Sequence, residues 1–212
     1  MTSQDMDNEN DPLNPGDSAT LSLLVTPRAI PNFFPLLQKG VSIRVELGCT
    51  IKGFLEDHLG VSSDYIEHRI QTLFLDAKPV DDPDKAFIRD GSTLTLSAAM
   101  PGLLGQMLRK GSVCAALRSQ ITHREDLHVS PSGQGVFQVR LLNFVAREVG
   151  PTLLGKGVWV QREDLEDLLG NRAALIREDI KKAVLNGKTV DFEGIAKMKW
   201  PGKQVFLEVC ST

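Results

Sequence analysis

The chain has 212 residues, of which 42% are hydrophobic and 24% charged, and a formal net charge of −3. That length and apolar content suit one or two domains with packed cores, while the acidic balance argues against a nucleic-acid partner, which needs a dense positive surface. Cys49, Cys114 and Cys210 are scattered and form no CxxC pair, which supports neither a disulfide framework nor a structural zinc site.

Residues 1–19 are rich in Asp, Asn, Ser and Pro and contain no lysine or arginine, so they read as a disordered acidic arm. That polar start lacks the basic and apolar regions of a secretory signal. No apolar run approaches the roughly 20 residues that span a bilayer. The expected compartment is the cytoplasm, with no membrane association.

Leu21–Val25 reads as a short strand or a packing arm, after which Pro27, Pro31 and Pro35 break regularity. Val41–Leu47 alternates apolar and polar residues and predicts a strand. Thr50 is placed to cap a helix whose apolar stripe is Ile51, Phe54, Leu55 and Leu59, with Gly60 as its left-handed stop. Thr72–Leu75 and Thr93–Ser97 predict further strands, separated by turns at Asp76–Pro79 and Asp90–Gly91. A sheet of these strands folded over one helix makes a two-layer domain.

These pieces, in this order, resemble the sulfur-carrier β-grasp family, the small ubiquitin-like proteins of molybdopterin and thiamin synthesis. The matching residues are Thr50 with its helix, Leu73–Leu75, Pro79–Val80, Phe87–Ile88, Asp90–Gly91, Leu94–Leu96 and Met100–Pro101–Gly102. The resemblance implies a fold in which a mixed sheet wraps one helix. It also implies a chemistry in which a terminal glycine carboxylate is adenylated and converted to a thiocarboxylate. Gly102 and Gly105 are the candidate carrier glycines; the chain continues to Thr212, so that chemistry requires cleavage after one of them.

In the second half, Leu104 to Ile121 suggests helical turns interrupted at Gly111, and Ser130–Gly135 is a loop of turn formers. Arg109, Lys110, Arg118 and Arg124 make this the most basic stretch and a candidate docking patch for an acidic partner. The residues from Val136 to Val149 fit strand or helix, and Gly150–Pro151 is expected to stop them. Val158–Val160 reads as a strand, and Leu165, Leu168 and Leu169 as a helical turn opened by Glu163 and Asp164. Ala174–Leu185 predicts a helix ended by Asn186–Gly187, followed by strands around Val190–Phe192 and Val205–Val209. The triplet Leu-Leu-Gly occurs three times at unequal spacing, so no repeat is read.

The expected fold class is α+β: a ubiquitin-like β-grasp domain over residues 20–105 and a second α+β region of unrecognised fold over 106–212. His123 and His128 lack further ligands for a metal. Residues 150–157 do not form a phosphate loop. No cofactor or metal is called for. The functional expectation is a non-enzymatic interaction or adaptor protein whose partner is another protein. The alternatives are a sulfur-carrier precursor, and an enzyme with its site in the second half.

Overall fold

The computed structural model describes residues 18–124 and 133–212. The expected arm up to residue 17, and His128, lie outside these residues. The strands are β1 (Ala19–Val25), β2 (Val41–Glu46), β3 (Thr72–Leu75), β4 (Lys78–Pro79), β5 (Thr93–Ser97), β6 (Gln134–Leu142), β7 (Val158–Gln161), β8 (Ile180–Leu185), β9 (Lys188–Val190) and β10 (Gln204–Ser211). The helices are α1 (Phe34–Lys39), α2 (Ile51–Gly53, continuing as a π-helical turn, Phe54–His58), α3 (Gly102–Leu108), α4 (Asn143–Glu148), α5 (Gly150–Lys156), α6 (Arg162–Asn171), α7 (Ala173–Ile176) and α8 (Phe192–Ala196).

All ten strands form one mixed sheet in the order β4-β3-β5-β6-β2-β7-β10-β1-β8-β9. Its register explains the core. Leu21 pairs with Leu207, Leu207 with Val158, Ile43 with Phe137, Val139 with Leu94, and Leu96 with Leu73. Residues opposite each other in a ladder share a face, and all of these are buried. One face is therefore a continuous apolar layer, and Phe54, at the end of α2, packs on it edge-on to Phe137 at 5.0 Å between ring centres. The other face carries Thr20, Ser22, Gln138, Arg140, Trp159 and Phe206, each exposed or half-exposed.

From the centre outward, the two halves of the sheet read alike. β2 is antiparallel to β6, β6 is parallel to β5, and β5 and β3 continue antiparallel to β4. β7 is antiparallel to β10, β10 is parallel to β1, and β1 and β8 continue antiparallel to β9. The halves meet at β2 and β7, where Ser42 pairs with Trp159.

The sequence repeats with them. Leu36-Leu37-Gln38-Lys39-Gly40-Val41 returns as Leu153-Leu154-Gly155-Lys156-Gly157-Val158. Leu55-Glu56-Asp57-His58-Leu59-Gly60 returns as Leu165-Glu166-Asp167-Leu168-Leu169-Gly170, and at the same offset Ile66, Ile70, Leu75, Lys78, Val80 and Asp81 recur as Ile176, Ile180, Leu185, Lys188, Val190 and Asp191. The expectation of no repeat is therefore corrected. The two blocks have different offsets because Leu55 follows Val41 by 14 positions, whereas Leu165 follows Val158 by 7; a search for one fixed period misses this.

The expected boundary at residue 105 does not divide the sheet. β6, from the later part of the chain, lies between β2 and β5, and β1, from the earlier part, lies between β10 and β8. Each half is completed by a strand from the other stretch of sequence.

Several local expectations hold. Thr50 Oγ1 accepts from Gly53 N–H at 3.1 Å, and Gly60, at φ +67°, donates its N–H to Glu56 O. Others are corrected. The predicted helix over 174–185 ends at Ile176, and Ile180–Leu185 is β8, paired with β1. Asn186 and Gly187 have φ of 48° and 77°. Positive φ at both central residues is the geometry of a two-residue hairpin turn, so this Asn-Gly joins two strands instead of ending a helix. Gly150–Pro151 starts α5 instead of stopping α4, since proline at the first turn loses no intrahelical bond.

Candidate functional site

Two connections of equal length, residues 26–40 and 143–157, join β1 to β2 and β6 to β7. A groove runs where they meet. One part, about 610 Å³, is lined by Phe34, Pro35, Gln38, Pro101, Asn143 and Phe144. The other, about 500 Å³, is lined by Pro27, Ile30, Pro151 and Ser211. Pro31, Phe34 and Arg147 line both parts. Proline and aromatic side chains give such walls rigid apolar surface.

Asn143 fixes one wall. It adopts φ +54°, a left-handed conformation that Asn tolerates better than most residues. Its Nδ2 donates to Ser97 Oγ at 3.0 Å and to Ala99 O at 2.7 Å, tying the start of α4 to the chain leaving β5. The next residue, Phe144, is 49% exposed and lies under two guanidinium groups, Arg69 at 5.1 Å and Arg147 at 5.8 Å.

The two arginines differ. Arg69 Nε and Nη2 donate to the two carboxylate oxygens of Glu148 at 2.9 and 2.5 Å, and Tyr65 Oη donates to Glu148 Oε2 at 2.6 Å. The Arg69 bond, followed by the Tyr65 bond, holds the Glu148 carboxyl down at about 2. Burial, then the bond to Glu148, pushes the Tyr65 hydroxyl well up. The Arg147 side chain makes no hydrogen bond or ion pair to a described residue and lies beside the Phe144 ring.

The sequence-predicted site residues lie elsewhere, on the segment between β5 and β6. Gly102 is exposed at φ +76° and begins α3. Gly105 is buried inside that helix, where an added Cβ would stand 1.7 Å from Met100 O. Of the expected basic patch, Arg109 and Arg124 are exposed. Lys110 is half-buried and its ammonium donates to Ile66 O at 2.7 Å; burial lowers its proton affinity.

Arg118 is a correction to the patch. It is 2% exposed and offers no charge to a partner. Its guanidinium donates to Asp81 Oδ1 at 2.6 Å, Met107 O at 2.6 Å, Arg109 O at 3.2 Å and Thr122 Oγ1 at 2.8 Å. It is a staple that fastens the segment to the sheet edge beside β4. His123 N–H adds a backbone bond to Pro79 O at 2.8 Å.

The stapled segment turns apolar side chains outward. Val113 is 98% exposed, Leu117 76%, Leu103 75%, Leu104 61% and Ile121 55%. Sequence reasoning missed this because Leu104, Leu117 and Ile121 sit at helical spacing and read as a core stripe; only the position of Arg118 shows which side faces in.

Burial pushes up the thiols of Cys49 and Cys210, the latter helped by Glu208. Burial, then Lys156, lowers the proton affinity of His58. Trp200 is buried, and Trp159 packs edge-on against Phe206 at 5.2 Å. Among the described residues no helix is long and apolar enough to cross a membrane.

Comparison with protein-family models, with curated proteins and with solved structures finds no match to this chain.

Proposed function

We propose that the chain is a non-enzymatic interaction protein built from two ubiquitin-like β-grasp units, and that the segment after β5 is its partner-binding ledge. The β-grasp reading is supported by the strand directions of each half, with a parallel pair inside an antiparallel frame and a helix between the second strand of each repeat and the hairpin. The observation that carries the functional reading is the ledge itself. Leu103, Leu104, Val113, Leu117 and Ile121 are all exposed on one segment that a buried arginine holds in place. Exposed apolar side chains gathered on one anchored segment are what a protein partner covers. Exposed Arg109 and Arg124 add positive charge to it, which suits an acidic rim on the partner.

The carrier reading needs an extended glycine tail. Gly102 and Gly105 stand in a helix here, with Gly105 seated against the Met100 carbonyl. That favours the interaction reading over it.

A photo-crosslinking leucine analogue at position 117, with position 24 as the control site, tests the proposal in the native cells. The expected result is one discrete crosslinked protein from position 117. Crosslinks equally diffuse from both positions sink it. Intact mass from the same cells covers the alternative: a species ending at Gly102 or Gly105 and bearing a thiocarboxylate would replace this reading with the carrier.

A further inference from the structure

The ledge leaves the groove between the two connections unexplained, and the groove has its own chemistry. Arg147 lines both of its parts, as do Pro31 and Phe34, so this residue stands where the two parts adjoin and not at an end. The guanidinium is held beside the Phe144 ring and has no acceptor among the described residues. Its neighbour Arg69 is occupied by Glu148, which leaves Arg147 as the charge the groove presents. To either side the walls are mostly proline, phenylalanine and isoleucine, with Gln38 and Asn143 on one side and Ser211 on the other.

We infer that this groove binds an extended, proline-containing segment of a partner protein, with an internal Asp or Glu side chain paired to Arg147. A carboxylate matches the planar fork of a guanidinium through two parallel bonds. Apolar parts on both sides of the cation call for apolar residues on both sides of the acid, which an internal acidic residue supplies and a chain terminus does not. Extended chains with proline lose little entropy on docking against a rigid aromatic and proline wall. The groove is built from both connections, so only the assembled sheet presents it. This inference does not depend on the ledge.

The test uses the full chain labelled with ¹⁵N and the blocked peptide acetyl-Pro-Leu-Glu-Leu-Pro-amide, with its Glu→Gln counterpart as the control. Amide shifts are expected at Phe34, Asn143, Phe144 and Ser211. The Gln peptide is expected to bind about tenfold more weakly, and Arg147→Met to weaken the Glu peptide by about the same factor. Arg147 is exposed, so the variant keeps the fold, and Arg147→Lys is expected to restore part of the binding. Leu117→Ser is expected to leave it unchanged, which separates this result from the fate of the ledge. Equal binding of the two peptides overturns the inference. So does a shift pattern outside the groove, or binding that appears only after residues 1–17 are removed, which would make the chain's own acidic arm the occupant.

Discussion

The two halves of the sheet share strand order, directions and a repeated sequence, yet their outer edges are finished differently. In the half that ends at β4, Asp81 is taken by Arg118 and the segment after β5 is fastened alongside. In the half that ends at β9, the matching Asp191 caps α8 through Gly194 N–H at 2.6 Å. One aspartate in the same place serves a staple in one copy and a helix cap in the other. A repeated framework sets where a polar group stands, and the local sequence after it decides what the group does. The segment that joins β5 to β6 gives the first copy an exposed apolar ledge, while the outer edges at β4 and β9 are both short strands, which discourages pairing with other chains.

The largest test of this comparison is the exchange of strands. Phe137 belongs to β6 but packs on Phe54 in the half built from residues 41–97. Phe137→Ala is expected to cost about 4 kcal/mol, measured by urea unfolding. Hydrogen exchange should show the protection lost in β2, β3 and β5. Loss confined to the neighbours of β7 and β10 would break the assignment of β6 to the first half.

The next test compares matched glycines. Gly157 has φ +84° and an added Cβ would meet the Phe206 ring at 2.2 Å; Gly40 has φ +118° and would meet the flexible Arg140 side chain at 3.1 Å. Gly157→Ala is expected to destabilise by about 3 kcal/mol and Gly40→Ala by about 1–2 kcal/mol, the difference being a ring that cannot swing aside. Equal losses would mean that backbone strain alone governs both sites.

A smaller effect of opposite sign is expected in the hairpins. Asp76 and Ala77 have φ of 51° and 62°, matching Asn186 and Gly187. The first copy places alanine where the second has glycine, so Ala77→Gly should stabilise by about 1 kcal/mol, read from the unfolding midpoint. A loss of stability would show that the Ala77 methyl group makes a contact worth more than the strain.

The smallest is the clamp between Tyr65, Arg69 and Glu148. The folded value of Glu148 is depressed to about 2, so its contribution is complete above the ordinary carboxylate range and is lost as pH falls through the folded value. The side chains are partly exposed, at 46% for Arg69 and 34% for Glu148, and solvent screening keeps the contribution to at most about 1 kcal/mol. Glu148→Gln should flatten the acid side of the stability curve between about pH 5 and pH 2. An unchanged slope would remove this clamp as a source of the acid-side loss of stability.

The sequence by itself determined the local elements whose chemistry is short-range. Alternation located β2 and β5, Thr50 and Gly60 bounded a helix, and the turn at Asp76 was visible. All of these depend on residues within a few positions of one another. The sequence also held the repeat, but in two blocks at different offsets, legible only once β2 and β7 were known to be equivalent. Tertiary structure alone decided that residues 180–185 extend, because β1 supplies their ladder partners from the far end of the chain. It likewise decided that Arg118 faces inward, because Asp81 and the carbonyls of Met107 and Arg109 converge there. The groove belongs to this second class. Its walls come from connections more than a hundred residues apart, and no pattern within either one encodes the cation that the other will enclose.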